Sequence, residues 1–123
     1  MQNLKSLKLV AIDHLDYTLK YSNREKLEAL FAQRGKCDDV LIVRKGRITD
    51  SSYANVVFYD GEDWWTPDLP LLEGTCRARL LDQGDIKEAP LMVEDLKKFL
   101  GLKLINALRD MDQPMIPMSA LDY

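Results

Sequence analysis

The sequence predicts a mixed α/β domain, a mixed sheet with hairpins and packed helices. Two observations predict it. Short runs of strand-forming residues alternate with turn dipeptides through the middle of the chain, and the flanking segments carry apolar residues at spacings of three and four. A length of 123 residues suits one domain with its own core, and a second full domain is not expected.

Leu7 to Ile12 (LKLVAI) is apolar and rich in strand formers, which predicts a strand leading into the polar and aromatic stretch His14 to Tyr21. Ser22 and Glu25 form a capping box for a helix from about Asn23 to Gln33. Leu27, Leu30 and Phe31 share its apolar face, and Gly35 suits its carboxy-terminal cap. Asp39 to Val43 (DVLIV) is a continuous apolar run, turned by Lys45-Gly46 into Arg47-Ile48-Thr49 as a first hairpin. Tyr53 to Tyr59 and Asp63 to Thr66 flank Asp60-Gly61 as a second. Pro67 and Pro70 then break regular structure, and Leu71 to Gly74 lead into a short helix, Thr75 to Asp82, stopped near Gly84. Val93, Leu96, Phe99 and Leu100, between Pro90 and Gly101, predict a third helix, and Leu102 to Leu108 a closing strand.

Composition excludes several functions. A net charge of -3 and a pI near 5.1, with scattered lysines and arginines, give no basic field for a polyanion, so no nucleic-acid partner is expected. The apolar runs fall far short of the roughly 20 residues that cross a bilayer, so no membrane partner is expected. The start MQNLKSLKLV has no signal-peptide pattern, and the expected location is cytoplasmic. Cys37 and Cys76 lack metal-ligand spacing and His14 is the one histidine, so neither a zinc set nor a nucleophilic triad is expected. Tyr53, Phe58, Trp64 and Trp65 lie on hairpin strands without interleaved basic residues, which favours core and cross-strand packing over base stacking.

Single residues decide little, but an ordered set is more telling. Lys20 stands in Leu19-Lys20-Tyr21-Ser22-Asn23-Arg24 ahead of the first helix. Later come Ile48-Thr49-Asp50-Ser51-Ser52-Tyr53-Ala54-Asn55-Val56-Val57-Phe58, then Thr66-Pro67, then Leu72-Glu73-Gly74-Thr75-Cys76-Arg77. The series resembles the class IV pyridoxal-phosphate family, the branched-chain and D-amino-acid aminotransferases and the aminodeoxychorismate lyases. Those proteins show a lysine, an acidic-polar-Asn strand motif, a Thr-Pro pair and a GxxR helix start in this order. Lys20, Asn23 and Arg24 resemble the lyase branch, as does Asn106-Ala107-Leu108 before Pro114 and Pro117. The resemblance covers nearly the whole chain. It implies that residues 1–123 correspond to the C-terminal domain of the D-amino-acid aminotransferase-like fold, without the smaller amino-terminal domain of full-length relatives. In those relatives that domain supplies a phosphate-binding arginine and part of the substrate pocket.

The resemblance implies pyridoxal 5'-phosphate as cofactor and casts Lys20 as the lysine that forms an imine with its aldehyde and shuttles the substrate proton. Read without the family pattern, Lys20 is one solvated lysine among many. Asp50 takes the place of the acid that keeps the ring nitrogen protonated, where the family commonly has the longer Glu. Its alternative reading is a turn-side aspartate. Ser52 and Asn55 are expected to orient Asp50 or the ring. Gly74, Thr75 and Cys76 at a helix start are expected to hold the phosphate with backbone N–H groups, the alternative being a plain glycine turn and threonine cap. Arg77 is expected to brace the loop or pair with an acid. Asn106 and Ala107 complete the implied cofactor-binding set. The implied activity is aminotransferase or 4-amino-4-deoxychorismate lyase, on an amino or keto acid or aminodeoxychorismate, in a homodimer. The competing reading is a non-catalytic remnant or oligomerisation domain of the same fold.

Overall fold

The computed structural model describes residues 6–12, 24–107 and 111–122, with the side chains of 24–27 excepted. The elements are β1 (Leu7–Ala11), α1 (Arg24–Phe31), β2 (Asp39–Arg44), β3 (Arg47–Ser51), β4 (Asn55–Tyr59), β5 (Trp64–Pro67), α2 (Thr75–Gln83), β6 (Lys87–Ala89), β7 (Gly101–Ile105), β8 (Ile116–Pro117) and β9 (Leu121–Asp122). They build a mixed sheet in the order β6-β5-β4-β3-β2-β1-β9, to which β7 adds beside β4 and β8 beside β7. Pairs β1/β2, β1/β9 and β5/β6 are parallel and the others antiparallel. Parallel neighbours need a long connection. The β1–β2 connection contains α1 and the β5–β6 connection contains α2.

Strand β2 is buried on both faces from Asp39 to Val43, which explains its unbroken apolar run. On one face Leu41, Val43, Ile48, Val56, Phe58 and Leu104 form the main core, sealed by Leu96 and Phe99. On the other face α1 sets Leu30 against Val10, Val40 and Ile42, while α2 sets Cys76 and Leu80 against Val57, Ile86 and Ile105.

The expected hairpins are present. Lys45 and Gly46 both have positive φ (53° and 79°), as the twist-matched hairpin turn requires. The second hairpin uses four loop residues: the Asp60 carboxylate accepts from the amides of Glu62 and Asp63 and from the Trp65 indole N–H. These donors hold its carboxyl below the usual range. Gly84 ends α2 in the left-handed conformation, its N–H donating to Leu80 and Leu81 carbonyls. Phe58 is buried and stacked on Phe99 at 5.2 Å, and Tyr59 meets Trp64 at 4.8 Å, so these aromatics serve packing.

Other expectations are corrected. The third helix is a 3₁₀ segment, Val93–Lys98. Val93, Leu96 and Phe99 recur every three residues, the period of the tighter helix, and all three pack on the main core. The closing strand ends at Ile105 because its partner β4 begins at Asn55, the residue opposite. Helix α1 ends at Phe31 and runs on as a 3₁₀ turn, Ala32–Arg34, before Gly35. Pro67 is the last residue of β5, paired with Ala89, rather than a break before it. Strands β6, β8 and β9 were not expected. Ser22, Asn23 and Leu108 lie outside the described residues.

Candidate functional site

A bulge in β3 aims the site. Val43 pairs with Ile48 and Leu41 with Ser51, so β3 carries one more residue than β2 over this span. Ile48 faces the main core, and the extra residue turns Asp50 to the opposite, helix-bearing face. There it pairs in register with Asn55 of β4.

These two side chains hold the lead-in to α2. Asn55 Nδ2 donates to Asp50 Oδ1 (2.9 Å) and to the Leu72 carbonyl (2.7 Å). The amides of Leu71 and Leu72 donate to Asp50 Oδ2 at 2.6 and 2.8 Å. Both partners of Nδ2 are acceptors, which fixes the orientation of the amide. Asn55 Oδ1 is left buried without a hydrogen-bond partner, facing Gly74, where a Cβ would overlap it. Glycine is required at position 74 by space, since its φ of -80° is open to any residue.

Asp50 is 1% exposed. Burial pushes its pKa up to about 6, against the lowering effects of the Asn55 amide, the Leu72 and Leu71 N–H groups and the Arg77 charge.

Gly74 caps α2 in an extended conformation without a side-chain cap, and the first turn carries no acid. The opening N–H groups of a helix have no acceptor within it and sit at the positive end of its dipole, so this end is suited to an anion. Thr75 is exposed there and Cys76 is buried beside Leu80. Arg77 turns away, donating to the Pro67 carbonyl (3.0 Å) and to Glu88 (2.7 Å), the bracing role expected of it. Asn106 and Ala107 follow Ile105, which pairs with Asn55, so they leave the sheet at the same end.

The structure therefore brings together Asp50, Asn55 and Gly74 at the start of α2, with Asn106 and Ala107 following the strand residue that pairs with Asn55. Ser52 is different: its hydroxyl donates to Asp39 at 2.7 Å, towards β2, and not to Asp50. Lys20 lies outside the described residues. Sequence reasoning missed the Leu71 and Leu72 amides as donors to Asp50, and it missed Asp39. The signal for Asp39 is an acid placed directly before the apolar run Val40 to Val43.

The donor set suits pyridoxal phosphate. An ionised carboxyl offers about four lone-pair positions, and Asp50 fills one on Oδ1 and two on Oδ2, leaving Oδ1 able to accept from a ring N–H. The uncapped start of α2 suits the phosphate. Among the described residues no group of three or more His, Cys, Asp or Glu is placed to hold a metal ion, and no helix is long and apolar enough to cross a membrane.

A family model described as amino-transferase class IV matches residues 6–113. A Haemophilus influenzae protein of unassigned function is 46% identical over 99 residues, 80% of this chain and 53% of its own length. The crystal structure of a Haemophilus somnus protein assigned to the 4-amino-4-deoxychorismate lyases is similar with a TM-score of 0.83 at 41% identity, over 90% of this chain and 57% of that one. The pyridoxal-phosphate-bound form of a Mycobacterium tuberculosis protein described as a hypothetical aminotransferase shares the fold, with a TM-score of 0.73 at 20% identity, over 98% of this chain and 48% of that one. The chain spans about half the length of the relatives it matches.

Proposed function

The chain belongs to the class IV amino-transferase family, and from that membership we propose that it binds pyridoxal phosphate and acts in the lyase branch, on 4-amino-4-deoxychorismate or a related amino-group substrate. One observation carries the cofactor reading: the buried acid and the lead-in to α2 are tied together by Asn55 and the Leu71 and Leu72 backbone. When bound, the cofactor supplies an electron sink at the substrate carbon.

The chain's own groups divide the work. Asp50 Oδ1 holds the proton of the ring nitrogen, and Asn55 with the two leucine amides holds Asp50. The N–H groups of Thr75 and Cys76 bind the phosphate, and Asn106 and Ala107 border the same end of the sheet. Lys20 attaches the cofactor and moves the proton at the reacting carbon. Ser52 acts on Asp39 and not on the ring. The lyase branch is supported by the Lys20, Asn23 and Arg24 spacing and by the likeness to the Haemophilus somnus protein. We further read the protein as a cytoplasmic homodimer.

Borohydride treatment of the chain mixed with pyridoxal phosphate, followed by peptide mapping, tests the attachment. The expected product is a pyridoxyl group on Lys20; equal labelling of a Lys20→Ala chain rejects it. Feeding aminodeoxychorismate should release aminobenzoate and pyruvate, whereas a keto acid formed from an amino-acid donor selects transamination. A second reading is a scaffold of the same fold that assembles without turnover. A stable dimer by light scattering, with no saturable cofactor binding, would select that one.

A further inference from the structure

Asp39 opens β2 and is fully buried. Its Oδ1 accepts from the Val40 amide (2.7 Å) and the Ser52 hydroxyl (2.7 Å), while its Oδ2 has no hydrogen-bond partner among the described residues. Burial raises its pKa, with the Ser52 hydroxyl the largest opposing influence. A carboxyl in that state is costly, and an apolar residue of similar volume is often no worse for stability. What Asp39 does hold is Ser52.

Ser52 lies in the turn between the two residues that matter most. Strands β3 and β4 share one register pair, Asp50 opposite Asn55, and the Ser51 to Ala54 turn is the segment that joins its two members. Ser51 closes that turn from inside, its hydroxyl accepting from the Tyr53 and Ala54 amides and its own N–H donating to the Ala54 carbonyl. Ser52 ties the turn from outside to β2.

We infer that Asp39 is a positioning residue for the cofactor site: through Ser52 it fixes the Ser51 to Ala54 turn, and the turn fixes the Asp50–Asn55 pair that holds the lead-in to α2. The link to a cofactor rests on the proposed function; the chain of contacts does not.

The test uses the 123-residue chain with Asp39→Ala, Ser52→Ala, the double variant and Asp39→Asn. Without cofactor, hydrogen exchange of the Leu71 and Leu72 amides should quicken about tenfold in either alanine variant, beyond any change at the core amides of Ile42 and Val57. The double variant should be no worse than the singles, because both cut one link. Asp39→Asn keeps an acceptor for Ser52 and should match the parent chain. With pyridoxal phosphate, the Kd should rise roughly tenfold for Asp39→Ala and stay unchanged for Asp39→Asn. Additive effects, or Leu71 and Leu72 moving only in step with the core amides, overturn the inference. If Asp39→Ala does not fold, Ser52→Ala carries the same comparison alone. A parent chain that binds no cofactor defeats the proposed function, while the exchange result still decides the positioning role.

Discussion

Asp50 is the residue whose titration governs the site. Its pKa of about 6 in the folded chain lies above the 3.8 usual for an aspartate, so the folded chain binds more protons between about pH 4 and 6. The group therefore favours folding below pH 4, and its contribution, up to about 3 kcal/mol, is lost as the pH rises through 6. Asp50→Asn should flatten that part of the stability curve, as read by denaturant titrations at pH 4 and pH 7. A ring N–H seated on Asp50 prefers the ionised carboxylate, so cofactor affinity should weaken as the pH falls through about 6. Isotherms equally tight at pH 5 and pH 7 would count against that seat. Asp50 and Asn55 were legible because their spacing is local and resembles a known strand motif. The direction of Ser52, the role of Asp39 and the two leucine amides were not. They depend on a bulge in β3 and on a loop twenty residues further on, neither of which leaves a periodic trace.

Helix α2 and its lead-in behave as one element clamped from the sheet. Gly74→Ala would drive a methyl group into Asn55 Oδ1, and relief by rotating Asn55 would break its bonds to Asp50 and Leu72. The expected cost is about 2 kcal/mol, with cofactor affinity falling as well. Chemical denaturation and a binding isotherm on the same sample check it, and a fully stable variant that binds normally would show that Asn55 has room to move. At this scale the sequence was informative where structure is local. Lys45-Gly46, Asp60-Gly61 and Gly84 marked the turns and the end of α2 through backbone conformations that few residues accept. Strand β6 escaped because Lys87-Glu88-Ala89 has little strand propensity and forms only by parallel pairing with β5. The 3₁₀ segment was read as a helix because a spacing of three is shared by both periods over so short a stretch.

Across the whole molecule the main core is gathered from strands distant in sequence, and Phe58 belongs to it with no solvent exposure. Phe58→Ala should cost about 4 kcal/mol, measured by urea denaturation, because the cavity left among Leu96, Phe99 and Leu102 cannot close easily. A loss under about 1 kcal/mol would mean that the core repacks. The fold class was readable from the alternation of elements. The closure of the sheet was not, since two-residue strands carry no pattern. Strand β9 lies parallel to β1, Leu7 opposite Leu121, with Lys8 and Asp122 in an ion pair at 3.4 Å. This pairing covers the outer edge of β1 only at Leu7 and Lys8, and it joins residues 114 positions apart. Contacts of such long separation close the largest loops, so β9 should dock late in folding and open early when the molecule is destabilised.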